Sequence, residues 1–363
     1  MKVNKMEKLN TKQLRLSVSD YAKPSDGLAY SIFFIDILLY LALLAGVVFL
    51  ESMSLKIGCS ILAGLKIASL FVIGHDAAHG AYTSSKRANQ LIARVAFLPS
   101  LHNYTLWLEE HNRNHHQSNN VKGINSWSPM SRAEFDALPV WRQQLEKLYR
   151  SPAGIMFYYM IERWWKHKFY PFTGNDKRDN KAMADFAFLV SCLGGYIALL
   201  TLTGNLLAHT SALELVLLAC VLPFAIWNFM MGFTVYQHHT HETIPWSDSI
   251  DERNDIGSQE DFTMHVQYPR WFNLVSHNIM EHTAHHVDPR IPLYHLNKAQ
   301  ERLTLQLGDE MNVVKFSLRD FLVTMSRCKL YDYDNHRWQD FNGIPTSPYL
   351  VEKTDAVQLA EAA

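Results

Sequence analysis

The chain has 363 residues, 48% of them hydrophobic and 12% aromatic, with 34 Lys and Arg against 35 Asp and Glu for a formal net charge of −1. That balance, with no basic patch interleaved with aromatics, excludes a nucleic-acid-binding module. Four cysteines without a CxxC pair exclude a disulfide framework and a thiolate zinc site, and they fit a reducing compartment.

A mean hydropathy of −0.11 conceals strong segregation, because apolar blocks alternate with polar, histidine-rich stretches. Residues 1–30 are polar and basic. They lack the apolar core and cleavage site of a signal peptide, and are read as a cytoplasmic tail. Four apolar stretches follow, at 31–50, 55–73, 183–203 and 213–235, each close to the roughly 20 residues that cross a bilayer. The short connections Glu51–Ser54 and Gly204–Ala212 contain no Lys or Arg, whereas the tail, the segment 74–182 and the C-terminal third contain many. The positive-inside rule therefore predicts two hairpins with both termini cytoplasmic. The membrane domain is expected over 31–345, with a polar C-terminal tail at 346–363.

Within the first hairpin, Asp36 and Lys66 interrupt the apolar runs at similar depth. A lone charge there is costly, so they are expected to pair. Residues 88–107, moderately apolar and broken by Pro99, read as interfacial or re-entrant. Gly46, Gly64, Gly74, Gly194, Gly195 and Gly232 are expected at close helix contacts.

Three histidine clusters sit beside these spans: His75 and His79; His111, His115 and His116; His282, His285 and His286. They hold eight of the 18 histidines. On a helix, i and i+4 differ by about 40° in azimuth, and i and i+3 by about 60° the other way. Each cluster can therefore present imidazoles on one face. Neutral imidazole ligates iron, copper and zinc, and three such clusters on one side of a membrane point to a polynuclear metal site. Asp76 is placed to orient a ligand imidazole from behind.

The clusters and their flanks resemble the HxxxH, HxxxHH and HxxHH boxes of integral-membrane fatty-acid desaturases, in particular the omega-6/omega-3 acyl-lipid type. GHDAAHGAYTSSKRANQLIARVAFLP resembles the first-box region and HNIMEHTAHHVDPRIPLYHL the third, including Ile291-Pro292 and Tyr294-His295. The likeness runs from about Phe71 to Ala299.

It implies an all-α membrane fold of four transmembrane helices in two hairpins, with a cytoplasmic helical cap holding a histidine-rich di-iron site. The eight box histidines carry over as ligands of two iron ions. A further ligand from the cytoplasmic end of the fourth span is expected from His241 or His239, then His238. His277, Gln237 and Asn278 are further candidates, the last two as holders of an iron-bound water. The implied activity is O2-dependent insertion of a double bond into an acyl chain of a membrane lipid. No separate acid or base is implied beyond the di-iron centre.

Electrons must come from a separate protein, ferredoxin or cytochrome b5 with a reductase, because no heme, flavin or ferredoxin motif is present. Relatives with the same boxes hydroxylate, form terminal alkenes by decarboxylation or oxidise carotenoids. A membrane metal transporter is the more distant reading. Two stretches depart from the family pattern. Lys122–Pro129 lacks the usual acidic residues, and Val287-Asp288-Pro289 is more polar than usual. The absence of transit and retrieval signals points to a bacterial inner membrane.

Overall fold

The computed structural model describes residues 10–111, 118–124, 127–171, 179–208 and 210–351. Four helices are long and apolar enough to cross a membrane: Asp26–Phe49, Met53–Ala78, Asn180–Ala208 and Ala212–His239. They match the expected stretches but are longer. Helical hydrogen bonding does not stop where apolar composition does. The second helix runs past Ile73 through His75, and the fourth past Val235 through His239.

The spans form two antiparallel hairpins whose short turns meet at one end. There Lys56 Nζ lies 2.7 Å from Glu214 Oε1, and the Thr210 hydroxyl approaches the Val48 carbonyl at 3.4 Å. The opposite end gathers the start of the first and third spans, the end of the second and fourth, and the remaining chain. All described cluster histidines are at this end. The second helix is the central post, packed on the first, the fourth and the amphipathic helix Lys86–Phe97. Gly74 permits that last approach, since a Cβ there would fall 2.6 Å from the Phe97 ring.

Short helices build the cap: Tyr104–Glu109, Val140–Tyr149, His282–Val287, Leu293–Leu307 and Leu318–Arg327. Two small sheets complete it, a parallel pair (His265–Gln267 with Val313–Lys315) and an antiparallel pair (Leu330–Asp332 with Arg337–Gln339). The segment before the first span is folded onto the cap. In helix Thr11–Ser17 Leu14 is buried, and Arg15 Nε donates to the Val287 carbonyl at 3.0 Å.

Asp36 and Lys66 do pair, with Lys66 Nζ 2.9 Å from Asp36 Oδ1. The other carboxylate oxygen accepts from His277 Nε2 at 2.6 Å, a third partner the spacing did not indicate.

Candidate metal centre

Two groups of imidazoles form at the ends of the spans. His75, His79, His111 and His285 make one, and His239, His282 and His286 the other. Within each, one ring nitrogen per residue lies within 4.8 Å of all the others. His75 is in the last turn of the second helix, with His79 one turn on. His111 follows the helix Tyr104–Glu109, its ring stacked on Trp107 at 4.3 Å. Trp107 precedes His111 by four residues, so a helix puts both on one face.

The third cluster does not act as one face. In the single helix His282–Val287, His282 and His286 turn to the second group and His285 to the first. The i+3 offset carries His285 round the axis away from the i/i+4 pair. That helix is therefore the bridge between the groups.

Neutral rings with an assigned tautomer are what a metal requires, and the surroundings supply both. Burial, then the imidazoles of His238, His286, His239 and His285, hold His282 well below the ordinary histidine range. His75 Nδ1 donates to Asp76 Oδ1 at 2.9 Å, and His239 Nδ1 to the Phe262 carbonyl at 3.1 Å. Both rings then present Nε2. His239 Nε2 and His282 Nε2 are 3.0 Å apart. Two nitrogens about 2.1 Å from one ion at right angles lie about 3 Å apart, so the donor set fits a transition-metal ion.

Asp76 also accepts from the Leu293 amide at 2.5 Å, tying the first cluster to the segment after the third. Asn at this position has one acceptor oxygen for two donors. Asp76→Asn should weaken metal retention about 10- to 100-fold in dialysis against a chelator, with near-normal folding.

The other candidates lie elsewhere. His238 is buried and stacks on the His282 ring at 3.6 Å, outside both groups. His241, ranked with His239 ahead of His238 from sequence, turns away, with Nδ1 2.9 Å from the Thr243 hydroxyl. The helix ends at His239, so His241 has left the helical face that serves the cluster. His277 is engaged by Asp36. Gln237 donates to the Phe233 carbonyl and accepts from the Tyr268 hydroxyl, and Asn278 donates to the Leu293 carbonyl. His115 and His116 lie outside the described residues.

Between the second and fourth helices is a narrow, mostly apolar cavity. Phe71, Val72, Met231 and Val235 form apolar walls, and His75, His111, His239 and His282 close one end, so it borders both histidine groups. Sequence reasoning missed several residues around it. His102 is buried among Phe71, Trp227 and Tyr159, and burial pushes it down to about 3. Lys168 also lines the cavity and pairs with Glu110, which Arg163 holds as well. Against the burial that raises it, these two cations bring the Glu110 carboxyl down to about 2. Arg150 is buried and Arg142 binds Glu146 and Glu162, so these loop cations are largely spent on internal partners.

An integral-membrane helical bundle with two largely buried imidazole groups at the foot of an apolar cavity is the class that fold and site define. The family model for fatty acid desaturases matches residues 52–316, and the chain belongs to that family. It is similar to the chloroplastic omega-6 fatty acid desaturase of Spinacia oleracea, at 27% identity over 80% of this chain and 63% of the relative. It is also similar to the sn-1 oleoyl-lipid 12-desaturases of Picosynechococcus sp. (27%, over 76% of each chain) and Synechocystis sp. (25%, over 77% of each). The chain thus spans about 63% of the length of the Spinacia relative.

Proposed function

We propose that this protein is an O2-dependent acyl-lipid desaturase that inserts a double bond into a membrane-lipid acyl chain, using two iron ions held by the two histidine groups. The observation that carries this reading is the apolar cavity ending on both groups. Iron bound there supplies O2 activation and removal of hydrogen from an unactivated methylene, which no side-chain acid or base achieves. The chain's own residues do the rest. Phe71, Val72, Met231 and Val235 hold an acyl chain and exclude water, while Asp76 and the Phe262 carbonyl fix the ligand rings. His115 and His116 complete the ligand set by the family pattern.

The relatives' names support an oleoyl-lipid substrate and a second double bond as product. The distribution of Lys and Arg supports a cytoplasmic metal site with both termini on that side. The electron donor is a separate ferredoxin, or cytochrome b5 with its reductase. A metal transporter would place its ligands along the spans, whereas these imidazoles gather at one end.

The test is mass-spectrometric profiling of lipids from cells expressing the full chain with a competent donor. A new cis-diunsaturated acyl chain supports the proposal. A hydroxy acid, terminal alkene or oxidised carotenoid in its place overturns the desaturase assignment.

A further inference from the structure

The stretch joining the strand His265–Gln267 to the third cluster dips below the histidine end of the spans. Its helix Arg270–Val275 exposes Trp271, Leu274 and Val275. The Val275 carbonyl accepts from the Ser69 hydroxyl at 2.7 Å, nine residues before the end of the second helix. At 1.5 Å per residue, that contact is about 14 Å inside the helix end. His277 reaches still further, to Asp36 and through it Lys66, both in the middle of spanning helices.

Non-helical backbone at such depth is tolerated only where protein buries it or it lines a cavity. Here Ser276 and Ile279 line the cavity that ends on the histidine groups. The turn between them is strained, because His277 and Asn278 are consecutive non-glycine residues with φ of 50° and 57°. Such a pair persists only when its surroundings over-determine it. The surroundings are specific: Asp36 on His277, and the Leu293 carbonyl on Asn278 at 3.0 Å. Charged residues inside spans are costly and are kept where they serve a site.

We propose that Asp36, Lys66 and His277 form a polar latch that fixes the re-entrant segment Arg270–Asn278 as a wall of the acyl cavity. By holding that wall, the latch sets how an acyl chain lies in the cavity against the histidine groups, and so which methylene pair is oxidised. His277 is a positioning residue for the site, not a ligand of it. This inference rests on the desaturase reading for its substrate.

The experiment uses the full chain in its native membrane environment, comparing wild type, His277→Ala and His277→Gln. Three readouts are double-bond position by mass spectrometry, bound iron, and hydrogen–deuterium exchange across Arg270–Asn278. His277→Ala should keep its iron, exchange faster across the segment, and raise the share of displaced double bonds about tenfold, the worth of one lost hydrogen bond to a charged group. His277→Gln, which retains an N–H donor of similar reach, should recover the wild-type position. Unchanged exchange and an unchanged product position in His277→Ala overturn the latch. Iron loss in His277→Ala as large as in His285→Ala overturns it too, by making His277 part of the metal site. Wild type that makes no unsaturated chain overturns the desaturase reading instead. Exchange of the segment then decides the latch alone, faster exchange in His277→Ala upholding it and unchanged exchange overturning it.

Discussion

On the proposed two-iron reading, His285→Ala should abolish product formation while leaving the protein folded, and should lower bound iron from about two ions per chain to about one. His285 is fully buried, and its ring centroid lies 4.5 Å from that of His75 and 5.1 Å from that of His79. Alanine removes one donor from a group of four, and the nearest replacement in its own helix, His286, already faces the other group. The alanine also leaves a space beside the cavity that water can fill. Iron per chain, read by elemental analysis of purified protein, separates this outcome from a general collapse. Collapse would lower both sites together and broaden the elution profile. His241→Ala is the matched control. Its ring is engaged by Thr243 outside both groups, so activity and iron content should stay at wild-type levels. Full iron retention in His285→Ala would remove His285 from the metal site and break the two-group description.

The fold was legible where composition alone decides. Four apolar stretches of bilayer length name the spans, and loops rich in Lys and Arg at only one end name the hairpins. The helix ends were not legible, since the polar last turns of the second and fourth helices belong to the site. The clusters were legible as groups of imidazoles able to share a face because they recur at i, i+3 and i+4. Their partition was not. Which group His285 joins depends on where one short helix is docked, and that is fixed by distant contacts such as Asp76 with the Leu293 amide. The place of His241 outside both groups was not legible on the same ground: its rank came from a sequence pattern, while the helix carrying the face ends two residues earlier. Asp36 and Lys66 were legible as a pair because each is too costly alone. His277 was not, being 241 residues from Asp36 in the chain.

The glycines show the same limit and give the second large prediction. Small residues in apolar helices suggest close helix contacts, but sequence cannot tell which glycines touch a neighbour. A Cβ at Gly194 or Gly195 would meet nothing within 4 Å, on a third span that is mostly exposed to the bilayer. At Gly232 it would fall 2.6 Å from the Ile155 carbonyl oxygen and 3.1 Å from its carbon. That neighbour is main chain and cannot rotate aside, so the fourth helix must shift as a body. Overpacking of this kind costs about 1–3 kcal/mol. The shift is carried two turns along the helix to His239, whose Nε2 is 3.0 Å from that of His282. Gly232→Ala should therefore lower the thermal midpoint in detergent and also reduce the iron bound to the surviving folded protein. Gly195→Ala should keep its iron and hold or raise its midpoint, because alanine is the better helix former by about 1 kcal/mol. If both variants keep wild-type iron, the fourth helix does not transmit its packing to the second histidine group. If both lose it equally, the third span is tied to the site by contacts that its exposed faces do not make.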